Sequence, residues 1–448
     1  MRVGGPAAPT TETGVRWRFL LLTGLRWLPV GFVAPVFVLL PLSRGLSLPE
    51  VGVVFACYGA TTAVLELPTG GLADTVGRKA VLVASSAMHL VFFGLMVVAA
   101  DVTSWVAVGL AGGVARALDS GPLQAWYVDE ARRLEPGVEL RPGLSAAGGV
   151  EGVGLALSAL AGGLLPAVVT SGGLTSVVWA ALGGQALHLL AVLGLMSERR
   201  HRDLRQPGRG LSGGTRQLSA VVTDGLRLGL RRGPVRMLLL TTVVWGVALA
   251  GVEILWQPRF VTLLGGGEDA AAAPGGARTV LLGLLLAGAF LLAAVGSICT
   301  PAFTRLLGGS ASRGAVVSAL LHGAAYAVLA ASFAVVPAGA AFLVFYLVNG
   351  LRSPLHAELL HEHVSADRRS TMLSVESLSL QTGGFACTLV LPTVAAVTGI
   401  PWAWGAVAAL LTVSALAYLA VPDRPEAAGP LLAEERAGPP VPGVKQLS

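Results

Sequence analysis

Gly70-Gly71-Leu72-Ala73-Asp74-Thr75-Val76-Gly77-Arg78-Lys79 is a short, charged, glycine-rich stretch caught between two long apolar runs. Residues 51–69 before it and 80–100 after it are apolar enough and long enough to cross a bilayer, so the stretch reads as the turn joining two spanning helices at one membrane face. Gly70 and Gly77 give the backbone room to turn and let neighbouring helices approach. Asp74, Arg78 and Lys79 place charge at the mouth of a helical bundle.

The composition around this stretch agrees with a membrane setting. Of 448 residues, 54% are hydrophobic and only 12% charged, and the mean hydropathy is +0.73, too apolar for a soluble multi-domain protein. A formal charge of +6 raises the question of a nucleic-acid partner, but the basic residues sit in short loops rather than on an aromatic-studded face, so no nucleic acid is expected. Cys57, Cys299 and Cys387 are isolated inside apolar runs, which predicts small buried side chains and no metal pair. The apolar run after Arg16 and Arg18 is about twice a signal-peptide core and is expected to stay as the first span.

Twelve apolar runs are long enough to span, at 17–42, 49–69, 80–100, 103–128, 144–168, 174–196, 236–262, 279–300, 314–336, 338–357, 371–397 and 401–421. With both termini and the even-numbered loops assigned to the cytoplasm, nearly all of the 31 lysines and arginines fall on that side. The outer loops hold only Arg44, Arg259 and Arg278, while Arg26 and Arg116 lie inside spans. The expected fold is therefore an all-α membrane protein with twelve transmembrane helices in two six-helix, pseudo-symmetric bundles, residues 1–196 and 236–421. Residues 197–235 form a basic cytoplasmic linker, read as a helix on the inner membrane surface or as a solvated connector. The low-complexity segment 264–279 is an outer loop, and the tail 422–448 is expected to be disordered.

The opening stretch resembles the loop between helices 2 and 3 of the major facilitator superfamily. That loop reads glycine, three residues, aspartate, two residues, glycine, arginine, and lysine or arginine. Gly70, Asp74, Gly77, Arg78 and Lys79 match; Thr75 departs from a usually basic position. The resemblance implies that Asp74 faces the start of span 11 and that Arg78 pairs with an acid at the end of span 4, Asp129 by this reading, latching the cytoplasmic side.

Arg116-Ala117-Leu118-Asp119-Ser120-Gly121-Pro122 resembles the helix-4 motif of the superfamily's drug:proton antiporters, with Arg116 and Gly121 matching and Asp119 at a position usually uncharged. That likeness implies a part for Arg116 in proton transfer; an ion pair tying span 4 to span 1 is the other reading. Gly154, Gly162 and Gly163 match three of five positions of the antiporter helix-5 pattern, and small residues at this spacing also serve helix packing.

Ionisable groups within spans are functional candidates because each is costly to bury. Arg26 lies about nine residues, or roughly 13 Å, into span 1. Arg116 and Asp119, three apart, share a helix face and can partly neutralise each other. Glu151, Glu253, His322 and Glu376 complete the set, while Glu66, just before Pro68, belongs with the gate. Such groups can exchange a proton, attract a cationic substrate, or simply satisfy a structural hydrogen bond. Glu253 stands out because only Trp245, Trp256 and aliphatic residues surround it in sequence.

His356, His361 and His363 do not have metal-site spacing and read as a solvated helix end. With lysine only at 79 and 445, no phosphate-binding loop exists, and no nucleophile–base cluster marks an enzyme. No cofactor or metal is expected.

The sequence therefore predicts a monomeric, multi-pass plasma-membrane transporter with both termini cytoplasmic. Its expected activity is proton-coupled efflux of small amphiphilic or hydrophobic compounds by alternating access, with the bilayer, a small-molecule substrate and protons as its partners. An importer or facilitator of a metabolite is the rival within the class; an integral-membrane enzyme or a non-transporting receptor is the rival outside it.

Overall fold

A computed structural model describes residues 11–169, 172–197, 233–265, 276–365 and 368–423; of residues 67, 68, 70, 71, 74, 75 and 370 it describes the backbone alone. Most of the linker, the low-complexity loop and the tail read from the sequence lie outside the described residues. Every regular element among the described residues is helical. The helices longer than one or two turns are α1 (Glu12–Val33), α2 (Leu48–Val76), α3 (Arg78–Val98), α4 (Val102–Asp119), α5 (Pro122–Leu134), α6 (Arg141–Val168) and α7 (Thr175–Leu195). After the linker come α8 (Gly233–Leu263), α9 (Gly276–Leu306), α10 (Ala311–Ala331), α11 (Val335–Glu362), α12 (Arg369–Thr398) and α13 (Ile400–Leu419).

Among the described residues, eleven helices are long and apolar enough to cross a membrane, one fewer than the sequence predicts. The difference is the run 103–128, which is two helices rather than one. Gly121 takes a left-handed φ of 94°, which a right-handed helix cannot hold, and Pro122, which has no N–H to donate, opens α5. The 70–79 stretch also differs from expectation. It is not a turn: α2 continues through Val76, and Gly77 alone, with φ 107°, separates it from α3. Of the cysteines, Cys387 is buried, Cys57 is half-buried and Cys299 is exposed, so the expectation of burial fails at Cys299.

Among the N-terminal helices, α1 packs on α6 and α7, α4 on α2 and α3, and α3 on α7. The same neighbour pattern recurs six spans later: α8 packs on α12 and α13, α11 on α9 and α10, and α10 on α13. Two seams join the groups, α6 against α9 and α2 against α12. Glycine permits both. A Cβ on Gly163 would sit 2.5 Å from the Thr279 carbonyl oxygen and 2.7 Å from Gly283 Cα, so α6 and α9 meet backbone to backbone; at Gly52 of α2 a Cβ would meet Pro392 of α12 at 2.8 Å.

The start of α1 and the end of α7 share one end of the molecule, where Arg18 donates to the Leu195 carbonyl (3.0 Å) and Lys79 to the Leu193 carbonyl (2.8 Å). Arg78, Arg132 and Arg133 also gather here, and it is called the basic end below. At the opposite end Arg44 donates to the Met96 and Ala99 carbonyls (2.6 and 2.7 Å), satisfying the last turn of α3.

The apolar core is shared unequally between the two ends. From mid-depth to the opposite end a single cluster spans both groups, joining Val36, Phe92 and Trp105 to Val252, Trp256, Phe342 and Trp404. Toward the basic end each group closes on a core of its own. One is built on Phe19, Leu82, Trp126 and Met196, the other on Leu238, Leu355, Val375 and Tyr418. The groups are thus fused at one end and separately packed at the other.

Candidate functional site

Several polar side chains within the spans make contacts in one helix group or between the two. In the N-terminal group, Arg26 reaches from α1 to the last residue of α4. Its Nε donates to Asp119 Oδ2 at 2.5 Å and its Nη2 to the Asp119 carbonyl at 3.3 Å. The guanidinium also lies 4.9 Å from the Trp27 ring centroid. Asp119 therefore does not pair with Arg116, the neighbour that the three-residue spacing suggested. Arg116 is half-buried and has no ion pair or hydrogen bond among the described residues, although Glu151 lies within its electrostatic reach.

A second polar group links α3 and α7. Ser86 Oγ lies 3.2 Å from His188 Nδ1, Gln185 Nε2 donates to the Ser86 carbonyl at 3.3 Å, and Ser85 Oγ donates to the Ala115 carbonyl at 3.0 Å. Serines 85 and 86 with His188 were not singled out by sequence, because single polar residues in apolar helices give no periodic signal.

At the basic end Arg78 forms an ion pair with Asp129 and also donates to the Ala125 carbonyl. The expected pairing of the 70–79 motif with the end of span 4 is present, and it joins α3 to α5 within the N-terminal group. The Asp74 side chain is outside the described residues. Gly70 and Gly77 lie in and just after α2. Glu66 accepts a hydrogen bond from Gln381 Nε2 of α12 at 2.9 Å, bridging the two groups.

In the C-terminal group His356 is 3% exposed, contrary to the solvated helix end read from the sequence. Its Nε2 lies 3.0 Å from Thr242 Oγ1 and 3.3 Å from Glu376 Oε1, and its Nδ1 lies 2.9 Å from the Tyr418 hydroxyl. Arg352 is inside α11, buried with its guanidinium 4.6 Å from the Trp245 ring centroid. The i, i+4 spacing of Arg352 and His356 was the available signal, since it puts both on one face of α11. Trp245 also packs on His322, fully buried at 4.6 Å between ring centroids, with neither ring nitrogen hydrogen-bonded among the described residues.

Glu253 differs from the buried His322 and Arg352 in its exposure. It is exposed although Val252 and Ile254 on either side are buried, and it makes no ion pair among the described residues. The phenols of Tyr326 on α10, Tyr346 on α11 and Tyr58 on α2 are within its electrostatic reach. Tyr58 belongs to the other helix group, so this carboxylate stands at the divide between the two. No group of three or more metal-ligating side chains occurs among the described residues.

The fold is similar to that of solved transporters. The nucleoside transporter NupG aligns with a TM-score of 0.69 at 13% identity, covering 91% of this chain and 98% of that one. A bacterial homologue of the human lysosomal transporter Spinster, solved in an inward-facing and occupied conformation, aligns at 0.67 and 15% identity, covering 94% of this chain and 100% of the other. An auto-inhibited peptide transporter of the POT family aligns at 0.62 and 13% identity, covering 90% and 96%. At these identities the likeness shows a shared fold alone. No curated protein sequence matches the chain. A family profile described as Major Facilitator Superfamily matches residues 19–355, most of the chain and both helix groups. The chain is a multi-pass membrane protein of the major facilitator superfamily.

Proposed function

We propose that the protein is a secondary active transporter, not an enzyme, exporting small amphiphilic compounds in exchange for protons by alternating access. The observation that carries this reading is the unequal sharing of the core. Helix groups fused by one cluster at one end, and separately packed at the basic end, can rock about the divide so that the fused end opens when the basic end closes. In this reading the chain has twelve spans in two pseudo-symmetric bundles, the fourth built from α4 and α5 together. The recurrence of neighbour pairs six spans apart supports it.

The excess of arginine and lysine at the basic end supports a cytoplasmic assignment of that end and of both termini, in the plasma membrane. The structure then corresponds to an inward-facing state. Glu253, an exposed carboxylate with tyrosines of both helix groups within electrostatic reach, is the proposed site for the proton and for a cationic substrate group. The scarcity of charged and amide side chains within the spans favours amphiphilic cargo over sugars. Gly70, Asp74, Gly77, Arg78, Lys79 and Asp129 are proposed as the inner gate, with Glu66 beside it.

Purified protein in vesicles, loaded with a fluorescent amphiphilic cation, tests the assignment as a monomer and without added cofactor. The expected result is dye movement against its gradient only while a proton gradient exists. Equal movement without the gradient would remove coupling, and uptake of nucleosides or dipeptides with no dye movement would remove the substrate class.

A further inference from the structure

Gln257, on α8, is 2% exposed and spends both of its polar atoms on the backbone of the other helix group. Its Oε1 accepts from Val38 N–H at 2.9 Å and Leu39 N–H at 3.3 Å, and its Nε2 donates to the Ala34 carbonyl at 2.9 Å. These are the atoms of one helical turn. Past Val33 the chain makes a short 3-10 turn, Ala34–Val36, and resumes as a five-residue helix, Leu39–Ser43, with Phe37 and Val38 keeping right-handed helical dihedrals. In a continuous helix the Val38 N–H would bond the Ala34 carbonyl directly. Here the amide of Gln257 stands between donor and acceptor, relaying that bond through its own oxygen and nitrogen. Pro35 supplies no donor of its own at this turn, which leaves room for the insertion.

We infer that Gln257 is the positioning residue of the fused end: inserted, it holds α8 against the opened turn at 34–39, and withdrawn, it lets that turn close into ordinary helix. Two arrangements of α1 would then correspond to the two states of the gate. Withdrawal leaves no backbone group orphaned, because the Val38 and Leu39 N–H groups can pair with the Ala34 and Pro35 carbonyls once the amide departs. The amide itself would meet water as the end opens. This makes the contact suited to repeated breaking, unlike an apolar seam, which gains nothing in exchange when parted. The inference rests on the alternating-access reading above and names the contact that this movement must break.

The test uses spin labels on Thr103→Cys and Val336→Cys, exposed positions at the fused end on α4 and α11, with Cys57, Cys299 and Cys387 replaced by alanine. Pulsed dipolar distances are recorded in vesicles, with and without a proton gradient, alongside deuterium uptake at Val38 and Leu39. Gln257→Leu keeps the bulk and removes the relay; Gln257→Glu keeps the acceptor and removes the donor. The expected result is two distance populations in the parent, shifted at least about tenfold toward the longer one in Gln257→Leu and less in Gln257→Glu, as loss of more than one net hydrogen bond requires. Slower deuterium uptake at Val38 should accompany the longer population as the turn closes. Two populations whose ratio ignores Gln257→Leu would overturn the latch while leaving alternating access intact. A single distance in every variant and condition would overturn both.

Discussion

Arg26 holds Asp119 twice, through the carboxylate at 2.5 Å and through the backbone carbonyl at 3.3 Å, and Asp119 is the last residue of α4 before the chain breaks at Gly121. A helix that ends inside a membrane domain leaves carbonyls without partners. One guanidinium here neutralises the buried acid and satisfies one of those carbonyls together. Its first role is therefore to fix the α4–α5 break. Removing either side chain strands a charge: Arg26→Leu should lower stability by about 3 kcal/mol, and Asp119→Leu by a comparable amount. The double substitution should recover a good part of either loss. Thermal unfolding in detergent, arranged as a double-mutant cycle, would show this coupling, and simple additivity would rule it out.

The pair of Arg78 with Asp129 has a different setting. The Asp129 side chain is 64% exposed, so the ion pair is worth less than about 1 kcal/mol. Arg78 also donates to the Ala125 carbonyl inside α5. Asp129→Asn should accordingly leave the melting temperature almost unchanged, whereas Arg78→Ala should lower it visibly. Equal effects would mean that the carboxylate, not the helix carbonyl, is what Arg78 holds.

Much of this arrangement is legible in the sequence where the physics is local. Apolar length places the spans, whereas the Arg78–Asp129 pair is legible only through the resemblance of the 70–79 stretch to the superfamily loop. The break at Ser120-Gly121-Pro122 was visible as residues, but hydropathy averaged over the run 103–128 hides it. The burial of Arg352 and His356 is hidden for a related reason. Charge near a predicted span end reads as a loop, yet α11 runs on to Glu362 and buries both against Trp245, Thr242, Glu376 and Tyr418. Gln257 is the extreme case. Its partners are backbone groups more than 200 residues away, whose availability depends on how α1 unwinds and leaves no trace in side-chain type.

Glu253 gives the sharpest functional prediction. An exposed carboxylate with phenols within electrostatic reach and no ion pair among the described residues is available to a proton or a cationic solute. Glu253→Gln should abolish gradient-driven transport in vesicles while leaving substrate exchange at equal concentrations near the parent rate. Full active transport by this variant would exclude Glu253 from coupling. Loss of exchange as well would assign it to substrate binding rather than to the proton.

Two glycines on α6 should respond in opposite directions to the same change. Gly154 has open space around it, the nearest outside atom being the Gly24 carbonyl oxygen at 4.0 Å from an added Cβ. Gly163 faces Thr279 and Gly283 of α9 across a backbone contact, where an added Cβ would come within 2.5 Å. Replacing a glycine inside a helix by alanine gains up to about 1 kcal/mol of helix propensity when nothing obstructs it. Gly154→Ala should therefore raise the melting temperature by a degree or more and leave transport intact. Gly163→Ala must force two backbones apart at the seam between the helix groups, which outweighs the same propensity gain. It should melt lower and transport more slowly, with the fused end more open to labelling at Thr103 and Val336. If the two variants shift in the same direction, the α6–α9 contact is not the close seam described here.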